Sequence, residues 1–352
     1  MGTVLQGFKD RIAAAKASGG ALRIVGSGSK DWYGNRLQGE PLETSAYSGI
    51  ISYEPTELVI TARCGTPMTE IDAALSEYNQ MLAFEPPHFG AGATMGGVVA
   101  SGLSGPRRQA VGAVRDFVLG AVLMDGKGEV LHFGGQVMKN VAGYDVSRLL
   151  TGAMGTLGLL LEVSIKVLPR PVAETTLRLQ LDQASAIRQL NEWGGQPLPI
   201  SASAWQDDVL LLRLSGATAA VSAAKKKLGG EEISAAGDIW ADLREHRSEF
   251  FSDALPLWRL SVPSVTPPMA LLGEQLIEWG GAQRWLKSDA SQSVIRAAAD
   301  QAGGHATLFR GGDRQAGVFH PLAPTLAMLH KNLKNAFDPA RIFNPGRLYA
   351  DM

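Results

Sequence analysis

Three glycine-rich stretches hold the residue types in this chain best suited to binding chemistry: Gly26-Ser27-Gly28-Ser29, Ala93-Thr94-Met95-Gly96-Gly97 and Gly155-Thr156-Leu157-Gly158. A ligand with two phosphates needs several backbone N–H groups converging on it, and glycine lets the main chain approach with no side chain in the way. Each stretch alone reads as a turn, whereas the three together read as one binding site. Arg107 and Arg108 follow the second stretch. A guanidinium fork there suits a phosphate or a carboxylate, and a solvated loop end is the plainer account of the pair.

The first stretch is not a dinucleotide turn of the Rossmann kind. Such a turn opens directly into a helix whose N-terminal amides hold phosphate. Here "DWYGNRLQGEPLETS" follows, with no helical period, and Asp31 stands where a third glycine is needed. Lys30 also lacks the spacing of a P-loop lysine. Metal chemistry finds no support in spacing, because the six histidines (His88, His132, His246, His305, His320 and His330) form no pair at ligand distance along the chain. His132 and His246 read as structural or surface residues. His88 precedes the second glycine stretch and His320 lies near the returning C-terminus, which makes them weak catalytic candidates against an equally good structural reading. Cys64 is the only cysteine. That excludes a disulfide within the chain and a four-cysteine iron–sulfur cluster built from it alone.

The elements that must position these stretches follow from periodicity and punctuation. "MGTVLQGFKDRIAAAKASGG" predicts an amphipathic helix running into its Gly-Gly stop, and "ALRIV" predicts a strand delivering the first loop. "TELVITARCG" (56–65) reads as a strand, followed by a helix with Thr66 as its cap and Pro67 in its first turn. Asp125-Gly126 marks a hairpin turn, and a strand after Gly158 ends in prolines near Pro171. From Ala173 onward, short strands alternate with amphipathic helices. "LWRLSVP", "PMALLGEQLIEWGG", "AQRWLKS", "SQSVIRAAADQAGG" and "HATLFRGG" repeat that alternation, so 268–281 is expected to be helical. Two βαβ-like halves of this kind give a ferredoxin-like antiparallel sheet with helices on one face. Asp338-Pro339 stops a last helix, and Asn344-Pro345-Gly346 makes a turn.

With 352 residues, two packed units are expected. The 33 basic and 34 acidic residues nearly cancel, which argues against a nucleic-acid surface. Charges in the first twenty residues break any signal-peptide core, and no run reaches the ~20 apolar residues of a membrane span. The expected location is cytoplasmic, with attachment at the inner membrane only through partners.

As an ordered set, "GSGS", "YEPTELVITARCG", "ATMGGVVASGLSG", "VRDFVLGAVLMDGKGEV", "KNVAGYDVSRLLTGAMGTLGLLLEVSIKVLP" and "DPARIFNPGRLY" resemble the FAD-binding domain of the vanillyl-alcohol oxidase, or p-cresol methylhydroxylase (PCMH), flavoprotein family. Within it, "MKNVAGYD", the short middle region and "FNPGRLY" are most similar to the FAD-binding subunits of bacterial glycolate oxidases. The resemblance implies an α+β fold, with a two-subdomain PCMH-type FAD-binding domain over 1–171, a ferredoxin-like antiparallel α+β cap over 172–335, and a tail, 336–352, returning to the first domain.

The same resemblance implies FAD at Gly26, Ser27, Gly28 and Ser29 in the first loop and at Thr94, Gly96, Gly97, Ser101 and Gly105 in the second. Gly152, Gly155, Thr156 and Gly158 would pass along the cofactor. Family members with covalent flavin often carry a histidine where this chain has Ser29, so noncovalent FAD is expected. Tyr144 and Asn344 match family positions near the flavin ring and join His88, Arg107 and His320 as weak catalytic candidates. The implied function is that of an FAD-binding subunit of a complex oxidising glycolate, a small 2-hydroxy acid, to glyoxylate, beside a catalytic FAD subunit and an iron–sulfur subunit. Hydride loss from an alcohol carbon needs a base for the hydroxyl proton. The histidine and carboxylate cluster that serves relatives acting on D-2-hydroxy acids is missing from the motifs, so a non-catalytic assembly subunit that keeps the flavoprotein fold is the alternative.

Overall fold

Glycines and prolines divide this chain into short strands, and in the computed structural model those strands build two separate sheet systems. The structure describes residues 2–135, 145–234 and 237–352. These fall into two units: residues 1–103, 113–169 and 321–352 in the first, and 104–112 and 170–320 in the second.

The first unit opens with the helix Gly2–Ser18, which buries Phe8, Ile12 and Ala15. The strand Leu22–Val25 then pairs in parallel with Glu40–Glu43. On its other side lies the C-terminal tail: the Leu22 amide donates to the Ile342 carbonyl at 2.6 Å, and the Asn344 amide donates to the Leu22 carbonyl at 2.9 Å. A five-stranded antiparallel sheet follows, in the order Ile50–Glu54, Val59–Arg63, Leu159–Lys166, Val118–Met124, Val130–Gly134. One face of its middle strands is apolar, with Ile60, Val163 and Ile165 at 0% exposure, and the other carries the buried Thr61–Ser164 hydroxyl pair at 2.8 Å. The Asp125-Gly126 turn forms as expected, with Asp125 Oδ1 accepting from the amides of Lys127 and Glu129, each at 2.9 Å.

One helix start differs from expectation. The helix begins at Met68 with Pro67 as its cap. Thr66 instead turns its hydroxyl inward to accept from the Gly49 amide at 2.9 Å. That bond fixes the entry to the sheet, so the hydroxyl is spent before the helix begins.

The second unit carries an eight-stranded antiparallel sheet in the order Glu231–Ile233, Ala173–Gln180, Val209–Gly216, Ile200–Gln206, Glu274–Glu278, Gln283–Lys287, Leu257–Ser261, His305–Arg310. The helices Gln183–Gly194 and Thr218–Leu228 pack on one face through Ile187, Leu190 and Val221. Gln292–Gln301 covers the other half of that face through Ile295 and Ala299. The opposite face is not bare. Trp240, on the helix Gly237–Arg244, donates to Thr176 Oγ1 at 2.8 Å and stacks under Arg213. Thr176 and Arg213 alternate with core-facing Leu177 and Leu212, which places this helix behind the sheet.

Residues 268–278 form no helix, and only a single 3-10 turn, Trp279–Gly281, follows. Glu274–Glu278 is a strand with Leu276 and Ile277 buried. Gly273 takes φ +127°, and a Cβ there would lie 2.0 Å from the Lys287 carbonyl oxygen. The close approach of the neighbouring strand decides the conformation, overriding the helix-forming leucines before it. The unit boundaries also differ from 171/172 and 335/336. The helix Pro324–Phe337 belongs to the first unit, where Lys334 donates to the Thr156 carbonyl at 2.7 Å. Residues 104–112 belong to the second, where Arg107 pairs with Glu174 at 2.7 Å. Among the described residues, no helix is long and apolar enough to cross a membrane.

Candidate cofactor site

A cleft in the first unit gathers most of the three glycine stretches. Gly26, Ser27, Gly28, Ser29, Thr94, Gly96, Gly97, Ser101, Gly155 and Gly158 all line it, as does Asn344. The first stretch leaves the strand Leu22–Val25 and turns at Gly28, whose φ of +75° suits glycine. Among the described residues, the amides of Gly26, Ser27, Gly28 and Gly155 have no hydrogen-bond partner. Gly26 and Gly28 are half-buried and Ser27 is exposed, so these donors face the open side of the cleft. Three consecutive open donors at a cleft wall form a concave nest suited to an anion with several oxygens.

The second stretch is not a loop throughout: Met95–Ser101 is a short helix, capped by Thr94, whose hydroxyl accepts from the Gly97 amide at 3.2 Å. Glycine is required here by contact. A Cβ at Gly96 would lie 2.7 Å from Cys64 Cβ, one at Gly26 would lie 2.5 Å from Thr94 Oγ1, and one at Gly155 would lie 2.7 Å from Asn344 Nδ2. The first stretch thus packs directly on the second, and the third on the tail. Gly97 differs, since an added Cβ would meet only Thr94 Oγ1, at 3.3 Å.

Other expected residues sit elsewhere. Gly105 lies in the second unit, where its carbonyl accepts from Trp279 Nε1 at 3.1 Å. Gly152 packs against Gly102, and Thr156 is fully buried with its hydroxyl donating to the Ala153 carbonyl at 2.7 Å. His88 stands beside the first loop: its carbonyl accepts from Lys30 Nζ at 3.2 Å, and its Nε2 is 3.8 Å from Asp72. Arg107 is buried against Glu174 in the second unit, and Arg108 lies 4.3 Å over the Trp279 ring. His320, in the same unit, is held between the Ala306 amide at 3.3 Å and Asp300 at 2.9 Å. Tyr144 falls outside the described residues. His246 proves to be a core residue, stacked on Phe251 with ring centroids 3.9 Å apart. Burial, then Arg310 and Arg259, hold its pKa well below 6.5.

Three side chains that sequence reasoning passed over shape the cleft. Cys64 lines it, and burial pushes its thiol up to about 12, so it is held neutral. Arg347 is 4% exposed and donates to the carbonyls of Lys30, Asp31, Tyr33 and Asn35, gathering the chain that follows the first loop. Lys334, fully buried, fastens the third stretch to the tail. Among the described residues, no group of three His, Cys, Asp or Glu side chains is placed to hold a metal.

A family model described as an FAD binding domain matches residues 6–134. Glycolate oxidase subunit GlcE of Escherichia coli is 50% identical over 99% of this chain and 98% of its own length. The chain belongs to the GlcE family. It is an FAD-binding oxidoreductase chain of the PCMH type. Glycolate oxidase subunit GlcD of Bacillus subtilis is 35% identical over 27% of this chain and 20% of its own length. A D-lactate dehydrogenase of Archaeoglobus fulgidus is 32% identical over 42% of this chain and 34% of its own length. Among solved structures, an alkyldihydroxyacetonephosphate synthase superposes with a TM-score of 0.66 over 96% of this chain and 73% of that one, at 14% identity. That likeness establishes the fold. The residues present fit FAD: amides open at the cleft wall can donate to a pyrophosphate, and glycines along that lining keep side chains out of the way.

Proposed function

We propose that this GlcE-family chain holds FAD noncovalently in the first-unit cleft and serves as a flavin subunit of a complex oxidising glycolate to glyoxylate. The observation that carries the reading is the run of open amides at Gly26, Ser27 and Gly28. These would receive the pyrophosphate, with the hydroxyls of Ser27 and Ser29 as further donors. Gly96, Gly97, Ser101, Gly155 and Gly158 would border the rest of the cofactor. Ile24, Leu37, Met154, Leu159 and Leu160 would exclude water from it. Bound FAD would supply the two-electron acceptor for a hydride leaving the alcohol carbon.

The hydroxyl proton must go to a base. The described cleft lining contains no histidine and one carboxylate, Asp31, which is engaged by Arg23 at 3.4 Å. A partner chain would therefore supply the base, and electrons would leave through an iron–sulfur partner, because one cysteine cannot ligate a cluster. Those partners would place the chain at the inner face of the cytoplasmic membrane.

The test is glycolate-dependent dye reduction by the isolated chain, by the co-expressed complex, and by the complex lacking this chain. Little activity alone and substantial activity in the full complex are expected. Full activity from the isolated chain would refute dependence on partners. The missing cluster also favours a second reading, an assembly subunit whose flavin is idle. In that case a variant that cannot bind FAD would still support full activity in the complex.

A further inference from the structure

Among the described residues of the first unit, the most deeply buried cation lies outside the cleft but bonds to residues next to two of its lining segments. Lys334 and Asp338 are both at 0% exposure and 2.8 Å apart, one helical turn from each other at the end of the last helix. Lys334 Nζ also donates to the Thr156 carbonyl at 2.7 Å and to the Phe343 carbonyl at 2.8 Å. Asp338 accepts from the Phe343 amide at 2.8 Å and from the Ile342 amide at 3.1 Å. The bonds to Thr156 and Phe343 land beside cleft residues. Thr156 follows Gly155, and Phe343 precedes Asn344, whose side chain accepts from the Ile24 amide at 2.8 Å and donates to the Met154 carbonyl at 2.6 Å.

A buried ion pair is a poor way to gain stability, because desolvating two charges cancels most of their attraction. An apolar pair would fill the same space. A lysine ammonium with three donors can hold two carbonyls from segments far apart in sequence while a neighbouring carboxylate neutralises it, which an apolar pair cannot do. We propose that Lys334 is the positioning residue of the cofactor cleft: its three-way bond to Asp338, Thr156 and Phe343 sets the third glycine stretch and the tail at the spacing FAD requires before FAD arrives. This rests on the reading that the cleft binds FAD. Lys334 acts through Thr156 and Phe343 and does not itself line the cleft.

The test compares wild type, Lys334→Met, Asp338→Asn and the double variant for apo-chain melting temperature and for FAD affinity by flavin-fluorescence titration. Each single change strands a buried charge and lowers the melting temperature. The double variant removes both charges and regains most of it. If Lys334 only stabilises the fold, FAD affinity recovers with the melting temperature. If it positions the cleft, the double variant still binds FAD roughly tenfold or more weakly, the scale of one lost hydrogen bond to a charged group. An affinity within about twofold of wild type would overturn the proposal. A second measurement needs no substitution: hydrogen exchange in the unaltered apo chain. Ile342 and Phe343 amides protected without FAD support a preset clamp, whereas free exchange until FAD is added overturns it. Failure of wild type to bind FAD would refute the cofactor reading instead, and the exchange result would still decide whether the clamp exists.

Discussion

Asn344 reaches across 320 positions of sequence to accept a hydrogen bond from the Ile24 amide at 2.8 Å, and its Nδ2 donates to the Met154 carbonyl at 2.6 Å. One side chain near the C-terminus therefore ties the strand feeding the first glycine stretch to the residue before Gly155. Its φ of 41° is one that asparagine tolerates better than most residues. Asn344→Gly removes both side-chain bonds while keeping that backbone conformation accessible, and Asn344→Ala adds strain. We expect losses of about 1–3 kcal/mol for Gly and more for Ala. Urea unfolding of the two variants checks the order, and equal stability of both with wild type would refute the tie.

Flavin attachment is the second prediction. The described lining of the cleft holds no histidine, and its one cysteine is kept neutral by burial, so no activated nucleophile stands ready for a covalent link. Acid or heat precipitation should release the yellow chromophore into the supernatant. Colour retained on the washed precipitate would contradict this.

His246 gives the second unit a pH dependence whose sign is fixed. In the folded chain, burial and the nearby arginines hold its pKa well below 6.5; in the unfolded chain it titrates near 6.5. The unfolded state then binds more protons below that pH, so the contribution is complete above 6.5 and is lost as pH falls toward the folded value. His246→Phe, stacked on Phe251, should flatten the fall in melting temperature between pH 7.5 and roughly one unit below 6.5. An unchanged slope would show that other groups set it.

Gly273 is expected to tolerate no side chain. Its φ of +127° and the 2.0 Å gap to the Lys287 carbonyl mean that Gly273→Ala must shift the Glu274–Glu278 strand. We expect destabilisation above about 3 kcal/mol, read by thermal melting. A melting temperature near wild type would place the strand edge elsewhere.

Much of this architecture is legible in the residues. The glycine stretches converge as their spacing suggests, and the hairpin at Asp125-Gly126 and the helix stop at Asp338 form where turn chemistry puts them. The failures have physical causes. Residues 268–281 carry helix-forming leucines, but Gly273 and the ladder to Gln283–Lys287 make Glu274–Glu278 a strand. Gly105 follows the second stretch in sequence, yet Trp279 holds it in the other unit. Lys334 and Arg347 carry no signal in their own segments, and only the fold surrounds them with carbonyls. A buried cation has no local sequence signature, because the atoms that satisfy it come from far along the chain.

The central claim is that the first-unit cleft binds FAD, and Gly97 tests it most directly. Gly97 lines the cleft, and a Cβ there would meet only Thr94 Oγ1, at 3.3 Å, so Gly97→Val adds bulk at the cleft lining at the cost of a small shift of the Thr94 hydroxyl. The measurement is FAD titration of the wild-type and Gly97→Val chains, each checked for folding by its melting curve. The account predicts one FAD per wild-type chain and at least a roughly hundredfold weaker affinity in the folded variant, about 2.7 kcal/mol. Wild-type affinity in a folded Gly97→Val chain, or no FAD bound by wild type, would contradict it.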